Sequence, residues 1–185
     1  GGINPALSFT LPIRVRLSSG HVMTTDVVFN GNNGAVRDIQ IPVRGDYTCM
    51  SVKDAAHTLS AAQSMPVVGT KYVVPAMALV GGDSNDDNIV DVLDFGSYVS
   101  DRGVGKNALS RSNFDRNPVV NNADFTYIGV NFLRTGDACG GGFTGGAPRE
   151  RVSVKDLRRA GLGHMVDSDI NGDGWVDAAD MALAM

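Results

Sequence analysis

The sequence predicts an α+β protein assembled by segments, an N-terminal β-sandwich followed by helical loop-and-helix units, and three observations carry that reading. Apolar and polar residues alternate from Leu7 to Leu17, the period of a strand with one buried face. Three later segments, GDSNDDNIVDVLDF from Gly82, SNFDRNPVVNNADF from Ser112 and SDINGDGWVDAADM from Ser168, place oxygen-bearing side chains at one common spacing. A glycine-rich stretch from Gly136 to Pro148, GDACGGGFTGGAP, separates the second from the third; it packs no core and marks a boundary. The 185 residues therefore divide into a β-sandwich at 1–80, a pair of loops with their helices at 81–136, a linker at 137–148, and a third hand at 149–185.

In the first strand Leu7, Phe9, Leu11, Ile13, Val15 and Leu17 alternate with Ser8, Thr10, Pro12, Arg14 and Arg16. Pro12 lacks a ladder donor, which places at least one side of this strand at an edge. Further strand signals run from Asp26 to Asn30, Val36 to Val43, Tyr47 to Val52 and Lys71 to Leu79, between turn-rich pieces such as NGNNG and RGD. Short strands at this interval suit a small sandwich. Their order, with the Gly-x-Tyr pattern at Gly45–Tyr47, resembles the prealbumin-like or carboxypeptidase-regulatory-like modules of bacterial secreted proteins, which implies a structural or surface-binding role for this part.

The three loops share one donor layout. In the third, Asp169, Asn171 and Asp173 take positions 1, 3 and 5, Gly174 position 6, the Trp175 carbonyl position 7, Asp177 position 9 and Asp180 position 12. Alternate side chains of such a loop point inward while a turn at position 6 brings the chain round, which is what a hard cation with six to eight oxygen ligands requires. Calcium is the metal indicated. The first loop offers Asp83, Asn85, Asp87, the Ile89 carbonyl, Asp91 and Asp94, with Asn88 at the turn, and asparagine tolerates a left-handed backbone. The second offers Asn113, Asp115, Asn117, the Val119 carbonyl, Asn121 and Asp124, but Pro118 holds the turn position. Proline cannot adopt a positive φ, and two carboxylates stand where the other loops have four. Loop two is therefore expected to turn differently and to bind most weakly.

Position 12 is aspartate in each loop, where an ordinary EF-hand carries glutamate. With VLDFGSYV following loop one and NADFTYIGVNFL spanning the end of loop two, residues 81–136 resemble a bacterial type I dockerin, which pairs two calcium loop–helix units. The segment 153–185 resembles a further calcium hand, with Ser153 and Asp156 in capping-box spacing at the start of its entering helix and an exit helix of about one turn. The resemblance implies a cohesin-like partner, although positions 10 and 11, where cellulosomal dockerins typically carry a Ser-Thr pair, hold Val92 and Leu93, then Asn122 and Ala123.

Composition narrows the function. Eleven of the twenty acidic residues lie in the loops, so the net charge of −4 is one that bound calcium would largely cancel. The basic residues are scattered, without the stripe of a nucleic-acid binder, and no apolar run is long enough to span a membrane. Ser, His and Asp residues occur without a nucleophile elbow, so no catalytic residue and no enzymatic activity are expected. His21, His57 and His164 read as ordinary surface or turn histidines, and Arg44-Gly45-Asp46 as a plain turn. A secreted or cell-surface location follows from structural calcium loops, and in that setting Cys49 and Cys139 can pair, a question their spacing leaves open. The reading is a secreted calcium-binding structural protein. It is either a subunit of an extracellular scaffold or filament that self-associates by donating residues 7–17 to a neighbour, or an anchoring module for a cohesin-like protein or a polysaccharide.

Overall fold

The computed structural model describes residues 8–31, 33–34, 38–41, 45–54, 57–103, 110–141, 143 and 146–185. Leu7, Arg44 and parts of the 36–43 and 136–148 segments named above lie outside them. The architecture is α+β. Strands β1 (Ser8–Leu17), β2 (Val22–Asn30), β3 (Asn33–Gly34), β4 (Cys49–Asp54), β5 (Thr58–Leu59), β6 (Ala61–Ser64), β7 (Val67–Val68), β8 (Lys71–Tyr72) and β9 (Val80–Gly81) come first. Helices α1 (Val92–Asp101) and α2 (Asn122–Asn131) follow, then β10 (Val152–Ser153), α3 (Val154–Arg159), a 3₁₀ turn (Gly163–Ser168), β11 (Trp175–Val176) and α4 (Ala178–Leu183).

One five-stranded antiparallel sheet, in the order β3-β2-β1-β4-β6, dominates the N-terminal part. The alternation in β1 has the expected effect: Leu11, Ile13, Val15 and Leu17 are buried together with Tyr47, Val52 and Met65. Among the described residues no second sheet of comparable size faces this one. Residues 73–79, expected as strand, are irregular, and Val74, Met77 and Leu79 cover the apolar face with Ile39 and Ile41. β1 lies inside the sheet. It pairs with β2 along Ser8–Arg16 and with β4 along Ile13–Leu17, so Pro12 falls where the β4 ladder has not yet begun and its missing N–H costs no sheet bond.

The C-terminal part has its own core. Every landmark of the first loop–helix unit recurs thirty positions later in the second, from loop starts at Asp83 and Asn113 to helix ends at Asp101 and Asn131. The residues two beyond those ends, Gly103 and Leu133, both have positive φ. Valine occupies loop position 8 throughout, as Val90, Val120 and Val176, each at most 1% exposed. The first two units exchange backbone bonds reciprocally: after α1, Gly103 N–H donates to Val120 O, and after α2, Leu133 N–H donates to Val90 O. Val176 pairs instead with Val152 of β10.

These valines join Phe95, Tyr98, Phe125, Ile128, Leu157, Met165 and Met181 in one apolar cluster. The third hand thus packs on the first two across the glycine-rich segment. α1 meets the 3₁₀ turn at Gly96, where even a Cβ would come within 3.0 Å of Met165 Sδ. Burial of a side chain such as Phe95 contributes about 1.5–3 kcal/mol.

Two kinds of tie hold the sheet to this cluster. Cys49 of β4 and Cys139 form a disulfide. β4 also ends in Lys53 and Asp54, both buried, and each makes an ion pair with one of the loops: Lys53 with Asp83 and Asp86 of loop one, Asp54 with Arg116 of loop two.

Candidate metal centre

At positions 3, 5, 9 and 12 the three loops share one hydrogen-bond plan, in which a side-chain oxygen accepts from a backbone N–H of its own loop or exit helix. The position-12 aspartate spans the loop: Asp94 Oδ1 accepts from Ser84 N (2.7 Å) and Asn85 N (3.3 Å) while its Oδ2 accepts from Asp91 N (2.8 Å). Asp124 does the same with Phe114, Asp115 and Asn121, and Asp180 with Ile170, Asn171 and Asp177. Position 9 is at once the N-cap of the exit helix and position 12 its N3 residue, and all three make a complete capping box. The short aspartate suits this double task because it reaches both the cap and the loop's first turn. Position 3 accepts from the N–H of position 5, and position 5 from that of position 7, in every loop.

At positions 1 and 6 the loops part. Asp83 Oδ2 accepts from Asn88 N (2.8 Å) and Asp169 Oδ2 from Gly174 N (3.0 Å), with Asn88 at φ 68° and Gly174 at φ 91°. Pro118 has no N–H to give. Asn113, in place of an aspartate, reverses the bond and donates Nδ2 to Asn117 O at 2.5 Å. Asn121 likewise donates Nδ2 to Val119 O at 3.1 Å, the carbonyl expected at position 7 of the ligand set. Loop two thus ties its own oxygens with amide donors, and Arg116, at φ 63°, is its only described residue in the left-handed region. Proline at 6 and asparagine at 1 form a matched pair, which sequence spacing registered only as two separate weaknesses.

Loop one is enclosed. Asp83, Asp91 and Asp94 are each 0% exposed. Burial pushes the Asp94 carboxyl up to about 8, with the nearby Asp83 and Asp87 charges adding to the rise against its N–H donors. Burial likewise raises Asp83, partly opposed by Lys53, and Asp91, partly opposed by the N–H donors of Leu93 and Arg149. In loop two, burial raises Asp124. Carboxylates drawn together in a dry loop resist ionisation unless a cation joins them. Asp83 Oδ1 is buried and has no hydrogen-bond partner among the described residues, so one oxygen of the position-1 ligand stands uncommitted inside an all-oxygen donor set. That combination fits a hard cation such as calcium. Among the described residues no three His, Cys, Asp or Glu side chains form a group that could hold a metal ion; the position-12 carboxylates lie on backbone N–H donors.

Loop three leaves five of the six positions more open: Asn171, Asp173 and Trp175 are exposed and Asp169 and Asp177 half-buried, while Asp180 is buried. None of its carboxylates makes an ion pair with a described residue. The Arg151 guanidinium lies 4.5 Å over the Trp175 ring.

Sequence spacing did not point to Lys53, Asp86 or Arg116. Asp86 and Arg116 sit at position 4, both left-handed, and face outward to the sheet: Asp86 pairs with Arg14 and Lys53, and Arg116 pairs with Asp54 at 3.0 Å beneath the Phe9 ring. The contrast of Asp, Arg and Gly at this position is visible in the sequence, but Arg14, the partner of Asp86, and Asp54, the partner of Arg116, lie 72 and 62 residues away. His57, expected as a surface or turn histidine, lies in a turn but is buried and held between Asp54 Oδ2 (3.2 Å) and Ser110 O (2.6 Å), a structural position against loop two. No helix among the described residues is long and apolar enough to cross a membrane. No family model, curated protein or solved structure matches the chain.

Proposed function

We propose that the chain is a secreted calcium-binding structural protein, in which a sandwich-like β module is locked onto dockerin-like calcium loops. The observation that carries this is the uncommitted, buried Asp83 Oδ1 within an oxygen-only set, in a loop whose hydrogen-bond plan recurs in loop three. Calcium works here as a staple, tying an exit helix to the start of its loop. The Cys49–Cys139 disulfide agrees with an oxidising compartment. Equilibrium dialysis against radioactive calcium tests the reading: about two calcium ions per chain are expected at loops one and three, with loop two adding little. Retention no greater than that of an Asp83→Ala/Asp169→Ala double variant rejects it.

The biological role within this reading is a subunit of an extracellular scaffold. Donation of residues 7–17 to a neighbour would take β1 from between β2 and β4, whereas Ser8–Pro12 has no ladder partner on its β4 side among the described residues and offers an edge for strand addition. The alternative, an anchoring module for a cohesin-like protein or a polysaccharide, draws on the exposed Val130, Leu183 and Met185. Light-scattering mass in calcium separates the two: growth with protein concentration supports the scaffold, and a monomer throughout supports the anchor.

A further inference from the structure

We infer that Lys53 is a built-in counter-ion of loop one, a sheet residue that holds the metal-free loop in its folded shape and thereby sets its calcium affinity below that of loop three. This rests on the loops being calcium sites. The Lys53 side chain is 0% exposed, and its ammonium contacts Asp83 Oδ2 and lies 3.0 Å from Asp86 Oδ1. A buried ammonium persists only when paired and hydrogen-bonded, and here both partners come from the loop. Asp83 is shared: one oxygen serves the ammonium and the Asn88 N–H, and the other faces no described partner. A dication on that second oxygen would sit one carboxylate away from a fixed positive charge. Arg14 reaches Asp86 as well, so the sheet brings two cations to the rim of loop one. Loop three has Gly172 at position 4 and no cation paired with its carboxylates among the described residues.

One substitution should therefore move two quantities in opposite directions. Without the lysine charge, the metal-free protein retains Asp83 and Asp86 beside each other with less compensation, and it loses stability. Calcium then binds a loop that needs it more and repels it less. A lysine that merely fills space would leave affinity unchanged, and one that aims Asp83 at the metal would lower affinity on removal.

The test is calcium titration of the full chain and of Lys53→Met and Lys53→Gln, following the Asn88 and Gly174 amide resonances, together with urea unfolding in chelator. The glutamine variant keeps a hydrogen-bond donor should the methionine variant fail to fold. Affinity at loop one is expected to rise by about tenfold or more, the effect of removing one nearby like charge. Loop three should be unchanged and the urea midpoint in chelator lowered. Unchanged or weakened loop-one affinity overturns the assignment while leaving the calcium reading intact. If neither Asn88 nor Gly174 of the wild type responds to calcium, the calcium reading falls and this assignment with it.

Discussion

Loops one and three have the same residue types at positions 1, 3, 5, 9 and 12 and the same hydrogen-bond plan, yet one is sealed against a sheet that supplies a buried lysine and the other lies more open with no such partner among the described residues. The difference shows that a loop's residues set its shape while the segments packed on it set its charge balance. Two loops that look equivalent in sequence are therefore expected to differ in how much they need metal.

The tie between sheet and loops gives the largest expected effect. Cys49 and Cys139 close a link across 90 positions, and losing a cross-link of that span costs about 4–5 kcal/mol in the chain-entropy account. Cys49→Ser/Cys139→Ser should lower the urea midpoint by a corresponding amount while the Gly174 resonance keeps its calcium response. Loss of both together would mean that loop three is not independent of the sheet.

Metal removal comes next. A site at about a thousand times its dissociation constant adds roughly 4 kcal/mol. Asp173→Ala in loop three should then remove more of the calcium-dependent rise in melting temperature than Asp87→Ala at the same position of loop one. Equal losses by calorimetry would erase the distinction between the loops.

Smaller still is the effect of the caps. Asp94→Ala and Asp180→Ala each leave loop and helix N–H groups without an acceptor, a loss of about 1–2 kcal/mol even in chelator. Asp94 should cost more because its loop is closed to water. Unfolding curves in chelator that match the wild type for both would show that the capping boxes contribute nothing.

The smallest change is a gain in loop two. Asn113→Asp with Pro118→Gly restores the turn donor and the carboxylate that loops one and three use, and the paired variant should take up calcium that either single variant does not. Dialysis stoichiometry reads the outcome. Uptake by Pro118→Gly alone would show that the proline by itself blocks the loop.

Much of the local structure of these loops is legible in the sequence. Alternation in β1 gave its buried face, and the 1-3-5-6-9-12 spacing gave all three loops, because both depend on residues close in sequence. The thirty-residue repeat between the first two units is equally readable in the sequence. What could not be read were contacts made across long stretches of chain: Lys53 with Asp83, Asp54 with Arg116, and Met165 against Gly96. The expected facing sheet depended on residues 71–79 remaining extended and paired. Only Lys71–Tyr72 does so, in a short ribbon with Val67–Val68, and apolar burial of Val74, Met77 and Leu79 is achieved without a ladder. Asn113 with Pro118 carries a further lesson, since two departures that each look damaging together close a turn.

The most direct test of the account is a calcium titration of the wild-type protein read at the two position-6 amides, Asn88 N–H and Gly174 N–H, which report on the position-1 carboxylates through their bonds to Asp83 and Asp169. The account predicts that both resonances shift and saturate, Gly174 at the lower calcium concentration. If neither moves up to about 10 mM calcium, beyond the range of extracellular calcium modules, the loops are capped turns and not metal sites.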